Sequence, residues 1–159
     1  MKTDKKVLIA LDYNATANKI ATVGYSFAKA MNAEITLLHM VENETYYTSF
    51  ITSPISGIGD FDSATFFQYL NTDSPTDAAN YFLDKIKRHL KDEDIITLVE
   101  KGNLADGILL VAKKLKVDLI IAGSHSQKWL EKLLIGSTTE TILKKTSIPL
   151  MIIPTGKNK

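Results

Sequence analysis

The sequence predicts a doubly wound α/β domain, with five parallel strands in the order 3-2-1-4-5 and helices on both faces of one sheet. Three observations predict it. The runs Val7–Leu11 and Val117–Ala122 are almost purely aliphatic, as strands buried on both faces must be. Stretches whose apolar residues recur at helical spacing lie between such runs, so strand and helix alternate. The first strand, helix and strand fit within roughly 35 residues, the size of one βαβ unit.

Val7-Leu8-Ile9-Ala10-Leu11 forms the first strand and Asp12 closes it. Ile20, Val23, Gly24, Phe27, Ala28 and Met31 then keep a helical period, so a helix runs from about 15 to 32 with Asn32 as its C-terminal cap. Ile35 to Val41, broken only by Thr36 and His39, is the second strand. Residues 43–75 are irregular and rich in Ser, Thr, Tyr, Phe, Gly and Asp. They lack the aliphatic residues for a core of their own and read as an insertion within a single domain spanning 1–156, with a short helix near Phe61 to Leu70. Thr76-Asp77 opens a helix that turns Ala79, Phe82, Leu83, Ile86 and Leu90 inward. Lys85, Lys87, Arg88 and Lys91 near its end suit the helix dipole and read as a solvated face before an anion patch. Ile95–Val99 is the third strand, and after Gly102-Asn103 a helix buries Leu104, Ile108, Val111, Ala112 and Leu115. The fourth strand is Val117–Ala122, the last helix Ser137–Lys145, and the last strand Pro149–Ile153.

Composition narrows the function classes. The chain has 159 residues, 19 basic and 18 acidic side chains, and no cysteine. A net charge of +1 lacks the basic excess of a nucleic-acid-binding domain. Without cysteine there is no disulfide staple or thiolate chemistry, which fits a reducing compartment. The run after Lys5-Lys6 is too short for a signal-peptide core, and no stretch approaches the ~18 apolar residues of a membrane span. A cytoplasmic protein is expected, with neither nucleic acid nor membrane as partner.

In a doubly wound sheet, ligands bind beyond the carboxyl ends of the strands where the order reverses, here between strands 1 and 4. The segments to inspect follow Leu11 and Ala122. Gly123 stands at the end of strand 4, where a missing Cβ permits close approach of backbone and ligand. Gly136-Ser137-Thr138 opens the last helix, whose free amides and dipole suit a phosphate. Ser137 and Glu140 also fit a capping box, so these residues alone leave helix cap and phosphate site both open.

Gly123, two residues, Ser126, nine residues, then Gly136-Ser137 resembles the loop of the universal stress protein family, which has glycine in place of Ser126. A first strand ending in Asp12, His39-Met40-Val41-Glu42 closing the second, the Gly102-Asn103 turn and the final Ile148 to Pro154 strengthen the likeness across the chain outside 43–75. The resemblance implies an adenine-nucleotide-binding stress-response regulator. Asp12 and Val41 would contact the adenosine of ATP or AMP, while Gly123, Ser126, Gly136, Ser137 and Thr138 would line the phosphates, with Mg2+ as an optional companion. At Ser126, positive φ would cost roughly 1 kcal/mol or more, whereas negative φ would offer the phosphates another hydroxyl. The resemblance also implies a homodimer through Pro149–Ile153.

Competing readings follow from particular residues. Asp12 could simply cap the next helix. His125 between Ser124 and Ser126 invites a hydrolase triad, but no Gly-x-Ser-x-Gly elbow surrounds either serine. A slow ATPase would need a general base or metal cage beyond Asp12, and no Walker loop is present. A nucleotide-free dimer could instead recruit a protein or small ligand through the aromatic 43–75 segment.

Overall fold

The computed structural model describes residues 4–42, 62, 64, 65, 68, 75–124 and 137–155. Five strands, β1 (Lys6–Ala10), β2 (Glu34–Val41), β3 (Ile96–Lys101), β4 (Leu119–Gly123) and β5 (Leu150–Ile153), form one sheet in the order β3-β2-β1-β4-β5. All four pairings are parallel, with Leu8 of β1 opposite Thr36 on one side and Ile120 on the other. The long aliphatic runs occupy the centre because only there are both faces of a strand covered. Val7 to Ile9 of β1 and Ile120 and Ile121 of β4 are fully buried.

β3 lies one to two residues beyond the predicted Ile95–Val99. It is an edge strand, half-exposed along its length, and so accommodates Glu100 and Lys101, which carry no apolar signal.

Among the described residues, four helices cover the faces: α1 (Ala17–Ala30), α2 (Pro75–Leu90), α3 (Leu104–Leu115) and α4 (Ser137–Lys145). On one face α1 and α2 bury Ile20, Ala21, Ala28, Phe82, Leu83 and Ile86 against Val7, Ile9, Ile35, Leu37 and Ile121. On the other α3 and α4 bury Ile108, Val111, Ala112 and Ile142 against Leu8, Ala10, Leu38, Met40 and Ile120. Each strand thus sends alternate residues into two separate cores. Two helices approach the sheet closely through glycine. A Cβ on Gly24 would lie 3.1 Å from Ile9 Cδ1, and one on Gly107 would lie 2.2 Å from Met40 Cε.

The helix ends are closed by backbone bonds. At α1, Ala33 N–H donates to the Ala28 carbonyl and Asn32 N–H to Lys29, with Asn32 in the left-handed region at φ 53°, the cap its position predicts. α3 closes in the same way, but the left-handed residue there is Lys116, at φ 54°. Tyr25 of α1 donates 3.0 Å to Asp92 in the turn before β3, tying the α1 layer to that corner.

The amino ends of the central strands are laced together. Lys6 N–H donates 2.8 Å to the Asp118 carboxylate, and Asp118 N–H returns 2.8 Å to the Lys6 carbonyl. Glu34 N–H donates to the Lys5 carbonyl at 2.9 Å, while the Lys6 ammonium lies 4.0 Å from Glu34. In the predicted insertion, Ala64, Thr65 and Gln68 are helical, and Asp62 accepts from the Ala64 amide as their cap. The rest of residues 43–74 lies outside the described residues.

Candidate ligand site beyond strands β1 and β4

At the carboxyl end of β1, Leu11 N–H continues the ladder to the Leu38 carbonyl at 2.8 Å. The Asp12 carboxylate then accepts from the Tyr13 amide at 3.0 Å. Asp12 is therefore no helix cap. Thr16 occupies that place, and the Asn14 side chain accepts from the Thr16 amide and hydroxyl at 2.8 and 2.6 Å. The next residue after Asp12, Tyr13, turns into the α1/α2 core, 1% exposed, and meets Phe82 edge to face. Asp12, half-buried, stays with the opposite face.

At the end of β4, Ser124 N–H pairs with the Ile153 carbonyl at 3.0 Å, and its hydroxyl accepts from Thr155 N–H at 3.0 Å. Both bonds tie Ser124 to the end of β5. The joint between β4 and α4 is made by Thr139. Its hydroxyl, 1% exposed, donates 2.9 Å to the Gly123 carbonyl. A threonine at this point satisfies its own buried hydroxyl and fastens the first turn of α4 to the end of the strand. Glu140 forms an ion pair with Lys144 at 2.9 Å.

Between these two ends opens a cavity. Leu38, Met40, Leu104, Ile108 and Ile142 make its apolar walls, and Ala10 and Ala122 its floor. Asp12, Thr138 and Thr139 bring polar groups to one end. Such a hollow suits a flat apolar ring carrying a hydroxylated, polar extension. Among the described residues, no group of three or more His, Asp or Glu stands close enough to hold a metal ion. The described lining offers a carboxylate, two hydroxyl groups and an apolar slot.

Of the seven residues predicted for the site, Asp12 and Thr138 line the cavity. Ser137 is exposed at the start of α4, and Gly123 is reached through Thr139. A Cβ on Gly123 would point the other way, 2.3 Å from Ile20 Cδ1, so close packing against α1 is a reason for glycine there. The Val41 side chain also belongs to the α1/α2 core, which leaves its backbone as what the strand end offers, and its carbonyl accepts from Gly102 N–H at 3.1 Å. Gly102 itself needs glycine, at φ 138°. Ser126 and Gly136, and with them His125, lie outside the described residues. Thr139 and the alanine floor were not singled out in the sequence. The signal for Thr139 was its place three residues before the buried Ile142, on the inward face of the helix.

A doubly wound sheet with its crevice at the β1/β4 reversal defines a class of α/β ligand-binding domains. Within that class the comparisons are specific. The profile described as "Universal stress protein family" matches residues 4–154. Universal stress protein MJ0577 of Methanocaldococcus jannaschii is 30% identical over 156 residues, covering 94% of both chains. Stress response protein NhaX of Bacillus subtilis is 25% identical, covering 93% of this chain and 96% of its own. Among solved structures, that of MJ0577 superposes with a TM-score of 0.66 at 25% identity over 98% of each chain. A universal stress protein in complex with cAMP gives 0.60 at 16% identity, covering 95% of this chain and 97% of its own. One from Archaeoglobus fulgidus in complex with dAMP gives 0.55 at 12%, covering 94% and 97%. This chain belongs to the universal stress protein family.

Proposed function

We propose that the chain is a regulatory protein of the stress response that binds an adenine nucleotide, ATP or AMP, in the crevice beyond β1 and β4. The observation that carries this is the Thr139–Gly123 hydrogen bond, which brings the first turn of α4 and the end of β4 together at one mouth of the cavity. Thr138 and Thr139 of that first turn then border the same hollow as Asp12, and a helix start suits a phosphate there. In this reading the apolar slot takes the base, Asp12 accepts from the ribose hydroxyls, and the strand end at Val41 offers backbone groups. Gly123, Ser126, Gly136, Ser137 and Thr138 take the phosphates, with Mg2+ neutralising their outer charge. Two structural relatives hold cAMP and dAMP, although at 16% and 12% identity the likeness speaks for the fold alone.

The protein is further proposed to be cytoplasmic and to form a homodimer along β5, an edge strand whose four residues carry no charge. Among the described residues, no helix is long and apolar enough to cross a membrane. Titration calorimetry of nucleotide-free protein with ATP and with AMP tests the ligand. Saturable heat is expected for both; silence up to about millimolar ligand, the weak end of specific binding, removes the proposal.

A further inference from the structure

We propose that His39 is a positioning residue for this cavity: from the opposite face of the sheet it fixes the Leu11 carbonyl and so sets where the Asp12 carboxylate stands. The inference rests on the reading of the cavity as a nucleotide site. His39 lies in β2, 1% exposed, at a position that faces α1 and α2. Among the described residues, the other buried strand side chains on that face are aliphatic, so a polar ring there needs a reason. Its Nδ1 lies 2.8 Å from the Leu11 carbonyl oxygen. A carbonyl can only accept, so Nδ1 carries the proton and the bond has a direction.

The ring cannot easily swing away. Phe82 meets it edge to face at 5.5 Å and meets Tyr13 in the same manner at 5.6 Å. The residues on both sides of Asp12 are therefore anchored in the α1/α2 core, Leu11 by the His39 bond and Tyr13 by the Phe82 ring. Leu11 and Asp12 both border the cavity, Asp12 brings it a carboxylate, and that carboxylate acts electrostatically on the His39 ring.

The test is a double-mutant cycle on the full chain, read by calorimetry with AMP. His39→Phe keeps a ring but loses the donor, and should weaken AMP roughly tenfold. His39→Gln, which can still donate, should recover most of that loss. In an Asp12→Asn background, His39→Phe should add little, because the two residues act as one unit. Undiminished affinity in His39→Phe, or the same tenfold loss in both backgrounds, overturns the proposal. His39→Leu supplies a second donor-free variant should His39→Phe not fold. If wild-type protein binds no AMP, the nucleotide reading falls by itself, and amide hydrogen exchange decides the positioning role. Faster exchange confined to residues 11–13 in the donor-free variant supports it; unchanged exchange there refutes it.

Discussion

The two faces of the sheet are covered alike, by two helices each, yet they end differently at the carboxyl edge. On the α1/α2 face the strands run into Tyr13, Phe82, His39 and Ile20, each at most 1% exposed. On the α3/α4 face the corresponding strand positions are Ala10 and Ala122, and a hollow opens above them. The same backbone architecture thus yields a solid core and a receptive one. Side-chain volume at two or three positions makes the difference, because interiors fill to near crystal density wherever atoms are available.

The largest effect expected on this contrast is at the solid end. Phe82→Ala removes the ring that both Tyr13 and His39 lean on, and should cost about 3–5 kcal/mol in urea or guanidinium unfolding. A loss under about 1 kcal/mol would mean the aromatic layer is not the keystone of that face. Next comes the hollow itself. Ala122→Leu should fill the floor and weaken ATP and AMP at least about a hundredfold, near 2.7 kcal/mol, while leaving the thermal midpoint close to wild type. Unimpaired nucleotide binding in that variant would place the ligand elsewhere.

A smaller, pH-dependent effect separates the faces again. Burial pushes the His39 ring below its ordinary value of 6.5, with the Asp12 carboxylate and the Leu11 carbonyl working in the other direction. The folded protein therefore resists a proton that the unfolded chain accepts. Stability should be whole above about 6.5 and decline as the pH falls below it, and His39→Phe should flatten that decline in urea midpoints. The smallest effect compares two helix ends. Lys116→Gly should stabilise by about 0.5–1 kcal/mol, since a side chain at positive φ is relieved, and Asn32→Gly by less, because asparagine already tolerates that conformation.

Much of this architecture was legible in the amino-acid order. Val7–Leu11 and Val117–Ala122 announced central strands because burial on both faces admits nothing polar, and Ser137–Lys145 was recovered with its observed limits. β3 was misplaced by a residue or two because an edge needs no apolar run, and Glu100 and Lys101 gave no strand signal. The position of the crevice followed from topology, and Asp12 and Thr138 with it. The hollow did not. In a sequence, Ala10 and Ala122 are merely further members of aliphatic runs, and only the distance to α3 and α4 turns their small size into space. The Thr139–Gly123 bond spans 16 residues and likewise has no local signature. Val41 and Gly123 show a subtler limit: alternation assigns each side chain to a face, and theirs belong to the face away from the cavity.

The lacing at the amino ends has a consequence of its own. Lys6, Glu34 and Asp118 pin the register of three neighbouring strands at the hem remote from the candidate site. With alignment secured there, the opposite rim is released from that duty. Loops on it can be exchanged or lengthened without the sheet slipping.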